Sequence, residues 1–198
     1  MSLKILGGRA KGHFLHSPPE STRPTSVLLK RRIFDSVQDL SGFCFVDLFA
    51  GSGSIGLEAL SRGAESVYLI EKNSSAYKVL LKNKDLMEKL LPLQVVNSYI
   101  GSALSFLQKN FDVHLAEKED VIIYIDPPYA EHDLYGEVLS FLQEKKFKGC
   151  VWVESESKKG LSLELLKQNS DWALGKSFGQ GSNFIVMMFL SPESKNGN

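Results

Sequence analysis

Residues 42–63 read GFCFVDLFAGSGSIGLEALSRG. The stretch opens on an apolar run, Gly42 to Leu48, with one acid near its end, which suits a buried strand. Gly51-Ser-Gly53-Ser-Ile-Gly56 follows with G-x-G-x-x-G spacing. Ile55 to Ser61 then carries apolar residues at helical spacing and stops at Arg62-Gly63, a helix C-terminus. Strand, glycine loop and helix in this order begin a βαβ unit. The glycines permit a tight turn and let a ligand touch the backbone.

The same alternation continues outward. Ser66–Ile70, Leu93–Val96, Val121–Ile125 and Cys150–Val153 read as strands; Ser74–Glu88, Ala103–Lys109 and Leu134–Glu144 read as helices. The chain closes on two strand-like runs, Trp172–Ser177 and Phe184–Leu190, joined by the turn Gly179–Gly181. With no helix between them they form a hairpin, so the last strand runs antiparallel. The prediction is an α/β, Rossmann-like fold: a seven-stranded, mostly parallel sheet with an antiparallel last strand and helices on both faces. In such sheets ligands bind outside the carboxyl ends of the strands. That rule selects Asp47, Glu71 and Asp126, each at or just after a strand end.

Gly7, Gly8, Gly12, Pro18, Pro19 and Pro24 punctuate the first 25 residues, which favours a hairpin or extended arm over a helix. A helix is expected at Val27–Val37, with Thr25 or Ser26 as its N-cap. The domain reading is an arm over 1–25, one compact domain over 26–190 and a polar, frayed tail over 191–198.

Bulk properties narrow the class. At 198 residues, 43% hydrophobic and 23% charged, the chain has the composition of an ordinary globular domain. Its longest apolar stretches are strand-sized, so no membrane association is expected. MSLKILGGRAKG is too basic, and its apolar run too short, for a secretory signal. Cys44 and Cys150 sit in strand-like runs and read as buried free thiols without metal spacing; a reducing cytoplasm is the expected location. The net charge is zero, but its distribution is uneven. Lys4, Arg9, Lys11, Arg23, Lys30, Arg31 and Arg32 lie in the first 32 residues with Glu20 as the lone acid. Such asymmetry points to a polyanion, since each cation at a phosphate releases counterions.

Two constellations carry chemistry. In the first, Asp47 stands four residues before Gly51. A carboxylate beside the glycine loop would repel a pyrophosphate, which argues against a nicotinamide cofactor, and suits the ammonium group of S-adenosylmethionine. Glu71, at the next strand end, can accept hydrogen bonds from both ribose hydroxyls. Phe49, Gly51, Gly53, Gly56 and Lys72 belong to the same candidate cofactor site, and Asn97 and Ser98, taken as following the third strand, to its adenine end.

The second is Asp126-Pro127-Pro128-Tyr129, after the apolar run VIIYI. An exocyclic amine on a nucleic-acid base is a poor nucleophile because its lone pair is delocalised into the ring. Asp126 accepting one N–H and the Pro127 carbonyl accepting the other would turn that lone pair toward a methyl donor. The two prolines stiffen the loop and donate no competing N–H. Tyr129 offers a stacking face for an extruded base. A rigid turn with a solvated aspartate is the plainer alternative.

Taken together, these residues resemble the bacterial small-subunit rRNA guanine-N2 methyltransferases of the RsmD type, within the class I methyltransferases. The resemblance spans Gly7-Gly8-Arg9-Ala-Lys-Gly12, Arg23-Pro24-Thr25, the glycine loop with Gly56-Leu-Glu-Ala-Leu-Ser-Arg-Gly63, Asp126-Pro-Pro-Tyr129 and Val153-Glu-Ser-Glu156. It implies S-adenosylmethionine as cofactor. Its implied substrate is one guanosine of small-subunit rRNA in an assembled or assembling 30S particle. Arg23 and Thr25 would lie against the cofactor, and Arg9, Lys11, Lys30, Arg31 and Arg32 would contact RNA. The chain is expected to act as a monomer. It departs from the family where Lys30-Arg31 replaces an Arg-Glu pair and where Val27 replaces a polar residue. The competing readings are an adenine-N6 or cytosine-N4 amino-methyltransferase, and a non-catalytic RNA-binding or assembly protein that keeps the fold.

Overall fold

The computed structural model describes residues 3–17, 27–157 and 161–191. Arg23 and the N-cap candidates Thr25 and Ser26 lie outside them, as does all of the expected tail except Ser191. A two-stranded antiparallel ribbon, β1 (Leu3–Lys4) with β2 (Phe14–Leu15), comes first, then helix α1 (Val27–Ser36). The domain continues β3 (Cys44–Asp47), α2 (Ser54–Ser61), β4 (Ser66–Glu71), α3 (Ser74–Leu90), β5 (Val95–Ile100), α4 (Ala103–His114) and β6 (Val121–Ile125). After a 3-10 turn (Tyr129–Glu131) come α5 (Asp133–Glu144), β7 (Cys150–Glu156), α6 (Leu163–Gln168), β8 (Trp172–Gln180) and β9 (Asn183–Leu190).

The main sheet has seven strands in the order β5-β4-β3-β6-β7-β9-β8. The first five are parallel; β9 is antiparallel to both β7 and β8. From β3 the chain steps outward through β4 to β5, then returns to place β6 on the other flank of β3. The order therefore reverses between β3 and β6, the switch point outside whose strand carboxyl ends sheets of this kind bind ligands.

Alternation along the strands splits the core into two layers. Phe45, Val67, Leu69, Ile122, Tyr124, Trp152, Ile185 and Met187 face α1, α2 and α3. Val46, Ile70, Val121, Ile123, Ile125, Val151, Val153 and Val186 face α4, α5 and α6. On the first face Phe34 of α1 meets Trp152 edge-on at 5.7 Å, and Trp152 meets Phe45 at 5.5 Å. Truncating a buried aromatic of this kind costs about 3–5 kcal/mol. Helix starts are marked in the sequence: the Asn73 side chain accepts from Ser75 and Ala76 N–H ahead of α3, and Ser102 and Ser162 cap α4 and α6.

Several details differ from the sequence reading: α4 runs to His114 rather than Lys109, β7 to Glu156 rather than Val153, and β8 to Gln180, so Gly179 of the expected turn is in the strand. The third strand of the domain, β5, runs two residues later at its start and four at its end than the expected Leu93–Val96. Helix α6 was not expected; only six residues long, it gives too short an apolar period to register. The thiols of Cys44 and Cys150 are free but half-buried rather than buried. Among the described residues no helix is long and apolar enough to cross a membrane.

Candidate active site

The glycine loop leaves β3 at Asp47 and enters α2 at Ser54. Gly51 and Gly53 both take left-handed backbone angles, φ 55° and 84°, that other residues adopt only under strain. A Cβ on Gly51 would meet nothing within 4 Å, so open space lies over the loop backbone at this point. Gly56 serves packing instead. A Cβ there would come within 2.3 Å of Leu69 Cδ2, so its absence lets α2 lie close on β4.

Two carboxylates grip this loop. Asp47 is 1% exposed; its Oδ1 accepts from Phe49 N–H at 3.4 Å and its Oδ2 from Gly56 N–H at 3.3 Å. Burial pushes its carboxyl up to about 7, against the pull of those two N–H groups. Asp47 thus sits beneath the loop and joins its two ends. Glu71 accepts from Gly51 N–H at 2.8 Å through Oε2 and from Asn73 N–H at 2.6 Å through Oε1. Each oxygen keeps a further lone pair. Lys72 forms an ion pair with Glu131 of the 3-10 turn, tying the loop after β4 to the loop after β6.

Asn97 and Ser98 lie within β5, paired with Tyr68 and Leu69, rather than beyond a strand end. Ser98 bonds the Tyr77 hydroxyl through its carbonyl and hydroxyl, at 3.3 and 3.2 Å. The backbone that follows β5 is Gly101-Ser102, so the expected placement of this pair is corrected by four residues of additional strand.

Asp126 follows Ile125, at the end of β6 and beside the switch point. Burial, then the charges of Glu154 and Asp47, hold its carboxyl well above the ordinary range. Pro127 is buried, Pro128 exposed, and Tyr129 starts the 3-10 turn, its side chain lying outside the described part.

The basic residues divide. Arg9, Lys11, Arg31 and Arg32 are exposed. Arg31 stands 4.0 Å from Asp35, and Arg32 donates to the Gly179 carbonyl. Lys30 corrects the reading that grouped it with them: it is 6% exposed and points inward. Its Nζ donates to the Ser54 carbonyl at 2.6 Å and lies 3.5 Å from Glu58, and burial pulls its pKa down.

Glu58 and Asn83 went unnoticed in the sequence, one within an apolar helix stripe and the other in a lysine-rich helix. Glu58, fully buried, accepts from Leu6 and Gly7 N–H at 2.8 Å each and pairs with Arg62 at 2.9 Å. The Ser61 hydroxyl donates to the Gly7 carbonyl at 2.6 Å and accepts from Ala10 N–H at 2.9 Å. The arm is therefore bolted onto α2, the helix that carries the glycine loop.

A family model described as conserved hypothetical protein 95 matches residues 3–188. Ribosomal RNA small subunit methyltransferase D of Escherichia coli K12 is 33% identical, with 80% of this chain and 77% of that protein covered. The chain belongs to this family. The protein of the same description from Haemophilus influenzae is 31% identical over 80% of this chain and 81% of its own. A solved structure from Escherichia coli superposes with a TM-score of 0.75 at 25% identity, covering 96% of this chain and 98% of the other. The Thermus thermophilus hypothetical protein TTHA0928 gives 0.69 at 25%, covering 93% and 97%. The RsmD family assignment and the Rossmann-like, mostly parallel sheet expected from the sequence both stand on these matches.

Proposed function

We propose that this chain transfers the methyl group of S-adenosylmethionine to the N2 amine of a guanosine in small-subunit rRNA, acting as a cytoplasmic monomer on an assembled or assembling subunit. One observation carries the reading: an amine-accepting loop, Asp126-Pro127-Pro128, stands at the switch point beside a glycine loop held by two carboxylates. The family relatives named as small-subunit rRNA methyltransferases support the substrate class.

The donor set fits the cofactor. Open space over Gly51 leaves room against the backbone, Glu71 has lone pairs left for ribose hydroxyls, and the buried Asp47 makes the loop floor attractive to a cation. When bound, S-adenosylmethionine supplies an electrophilic methyl group on a sulfonium. Asp126 accepts one N–H of the target amine and the Pro127 carbonyl accepts the other, which turns the nitrogen lone pair toward that methyl. Tyr129 offers the extruded base a stacking partner. Arg9, Lys11, Arg31 and Arg32 supply exposed charge for phosphates.

The test is methyl transfer from labelled S-adenosylmethionine to unmodified small subunits and to naked rRNA, with the modified nucleoside identified after digestion. N2-methylguanosine is the expected product, and Asp126→Ala should reduce its formation by roughly 10²–10³-fold. Modified adenosine or cytidine would overturn the substrate; no transfer to any RNA would overturn the activity.

A further inference from the structure

The arm carries an aromatic ring that core packing does not explain. Phe14 is 58% exposed, whereas Ile5, Ala10 and Leu15 of the same arm are buried. The alternation of the ribbon accounts for the split. Leu3 and Leu15 form one cross-strand pair and turn inward onto the core, so the other pair, Lys4 and Phe14, turns outward. The Lys4 ammonium lies 5.3 Å from the centroid of the Phe14 ring and braces one side of it. A single exposed apolar residue is ordinary on a protein surface. The charge around this one, and the course of the ribbon toward the glycine loop, set it apart.

Contacts with α2 fix how the ribbon lies. Leu6 and Gly7 N–H donate to Glu58, and Ala10 N–H donates to Ser61, the last residue of α2. The turn of the ribbon therefore lies at the end of α2 away from the glycine loop. The chain then comes back. At His16 both backbone groups meet Asn83, whose side chain also reaches Ser52 in that loop. Phe14 stands two residues, about 7 Å of extended chain, before His16. Lys4, Arg9, Lys11 and Phe14 are all exposed, so three cations and a ring line the way from the turn to the glycine loop. Residues 1–19 contain no acid, and the whole chain has zero net charge, so the rest of it is net acidic. That asymmetry selects a polyanion. The ring selects among polyanions: every nucleic-acid base has a face that can stack on an aromatic side chain, and an unpaired strand can offer it.

We propose that the outward face of the ribbon binds a single-stranded segment of the RNA, with an unpaired base stacked on Phe14 and neighbouring phosphates at Lys4, Arg9 and Lys11. The proposal rests on the rRNA reading above and adds to it a second base-contacting position, apart from Tyr129. Because the ribbon is anchored to α2 and to Asn83, a strand held on it keeps a fixed register relative to the glycine loop.

The test is fluorescence anisotropy of a short labelled single-stranded oligoribonucleotide, and of the same strand annealed to its complement, with the full chain. Phe14→Ala should weaken single-strand binding roughly 5- to 100-fold without changing its salt slope, and should weaken duplex binding far less. Lys4→Ala should lower the salt slope. Phe14→Trp should keep wild-type affinity; Phe14→Leu, apolar but unable to stack, should not. Urea midpoints check the fold, and Phe14→Leu serves if Phe14→Ala unfolds. Wild-type affinity in Phe14→Leu or in folded Phe14→Ala overturns the stacking. Equal losses on single strand and duplex overturn the single-strand preference. Tighter binding of oligoglutamate than of RNA, lost in Phe14→Ala, would make an acidic protein segment the occupant and overturn the proposal. Failure of wild type to bind either RNA sinks the surface; methyl transfer to small subunits by the same preparation separates that result from failure of the enzymatic reading.

Discussion

The Asn83 carboxamide holds both backbone polar groups of His16: Oδ1 accepts from His16 N–H at 2.7 Å and Nδ2 donates to the His16 carbonyl at 3.0 Å. The same Nδ2 donates to the carbonyl of Ser52, inside the glycine loop, at 2.8 Å. One fully buried side chain on α3 thereby joins the arm to the glycine loop.

Asn83→Ala leaves three backbone groups without their partner, two of His16 and one of Ser52. Stability should fall by about 1–3 kcal/mol for polar groups left unsatisfied. Amide exchange at His16 should quicken well beyond that at Leu69 in the sheet. Equal acceleration at both would show a global effect and refute the local link.

Lys30 and Lys11 should behave oppositely. Lys30→Met removes a buried cation from Glu58, which keeps Arg62, and should cost about 1–3 kcal/mol in urea unfolding. The salt dependence of RNA binding should not change. Lys11→Ala should leave stability alone and lower the slope of log affinity against log salt by about 0.9 if it meets one phosphate. A lowered slope in Lys30→Met would place that residue at the RNA after all.

Asp47 ties stability to pH in the ligand-free protein. Its carboxyl is raised from an ordinary 3.8 to about 7, so the folded chain binds this proton more tightly than the unfolded one. The resulting stabilisation is full below about pH 4 and is lost as the pH rises through about 7, amounting to about 4 kcal/mol at most. Urea midpoints of wild type and Asp47→Asn should therefore diverge between pH 5 and pH 8, with wild type losing more. Parallel curves would refute the assignment.

Gly8→Ala should release the arm. Gly8 has φ 73°, and an added Cβ would sit 1.9 Å from the Ser61 carbonyl oxygen, a backbone atom that cannot turn aside. The expected loss is on the order of 3 kcal/mol. Tryptic cleavage at Arg9 and Lys11 should quicken correspondingly; unchanged cleavage would show the arm staying docked.

Much of this molecule was legible in its sequence because the signals are local. β6 spans the same residues, Val121–Ile125, that its run of apolar side chains marks out, and the antiparallel hairpin of β8 and β9 follows from two strands without a helix between them. Asp47, Glu71 and Asp126 were selected by a topological rule that needs only strand ends. What escaped depends on distant partners. A lysine among arginines looks solvated until Glu58 is seen below it, 28 residues on. Asn83 is ordinary on a helical wheel until the arm and the glycine loop converge on it. Asn97 and Ser98 failed for a subtler reason: polar residues ended the apparent strand, although the ladder with Tyr68 and Leu69 carries on through them.

The position of β9 bears on the order in which the protein can be built. It lies between β7 and β8, yet it follows both in sequence. Until residues 183–190 have left the ribosome, β7 is an open edge, and Glu154 on it lacks the neighbour Ile185 that fixes its strand. A chain emerging from N- to C-terminus can form the glycine loop first and completes the β7 side of the sheet only after residues 183–190 have emerged. A nascent or prematurely stopped chain would thus have a place for the cofactor before it has the means to use it.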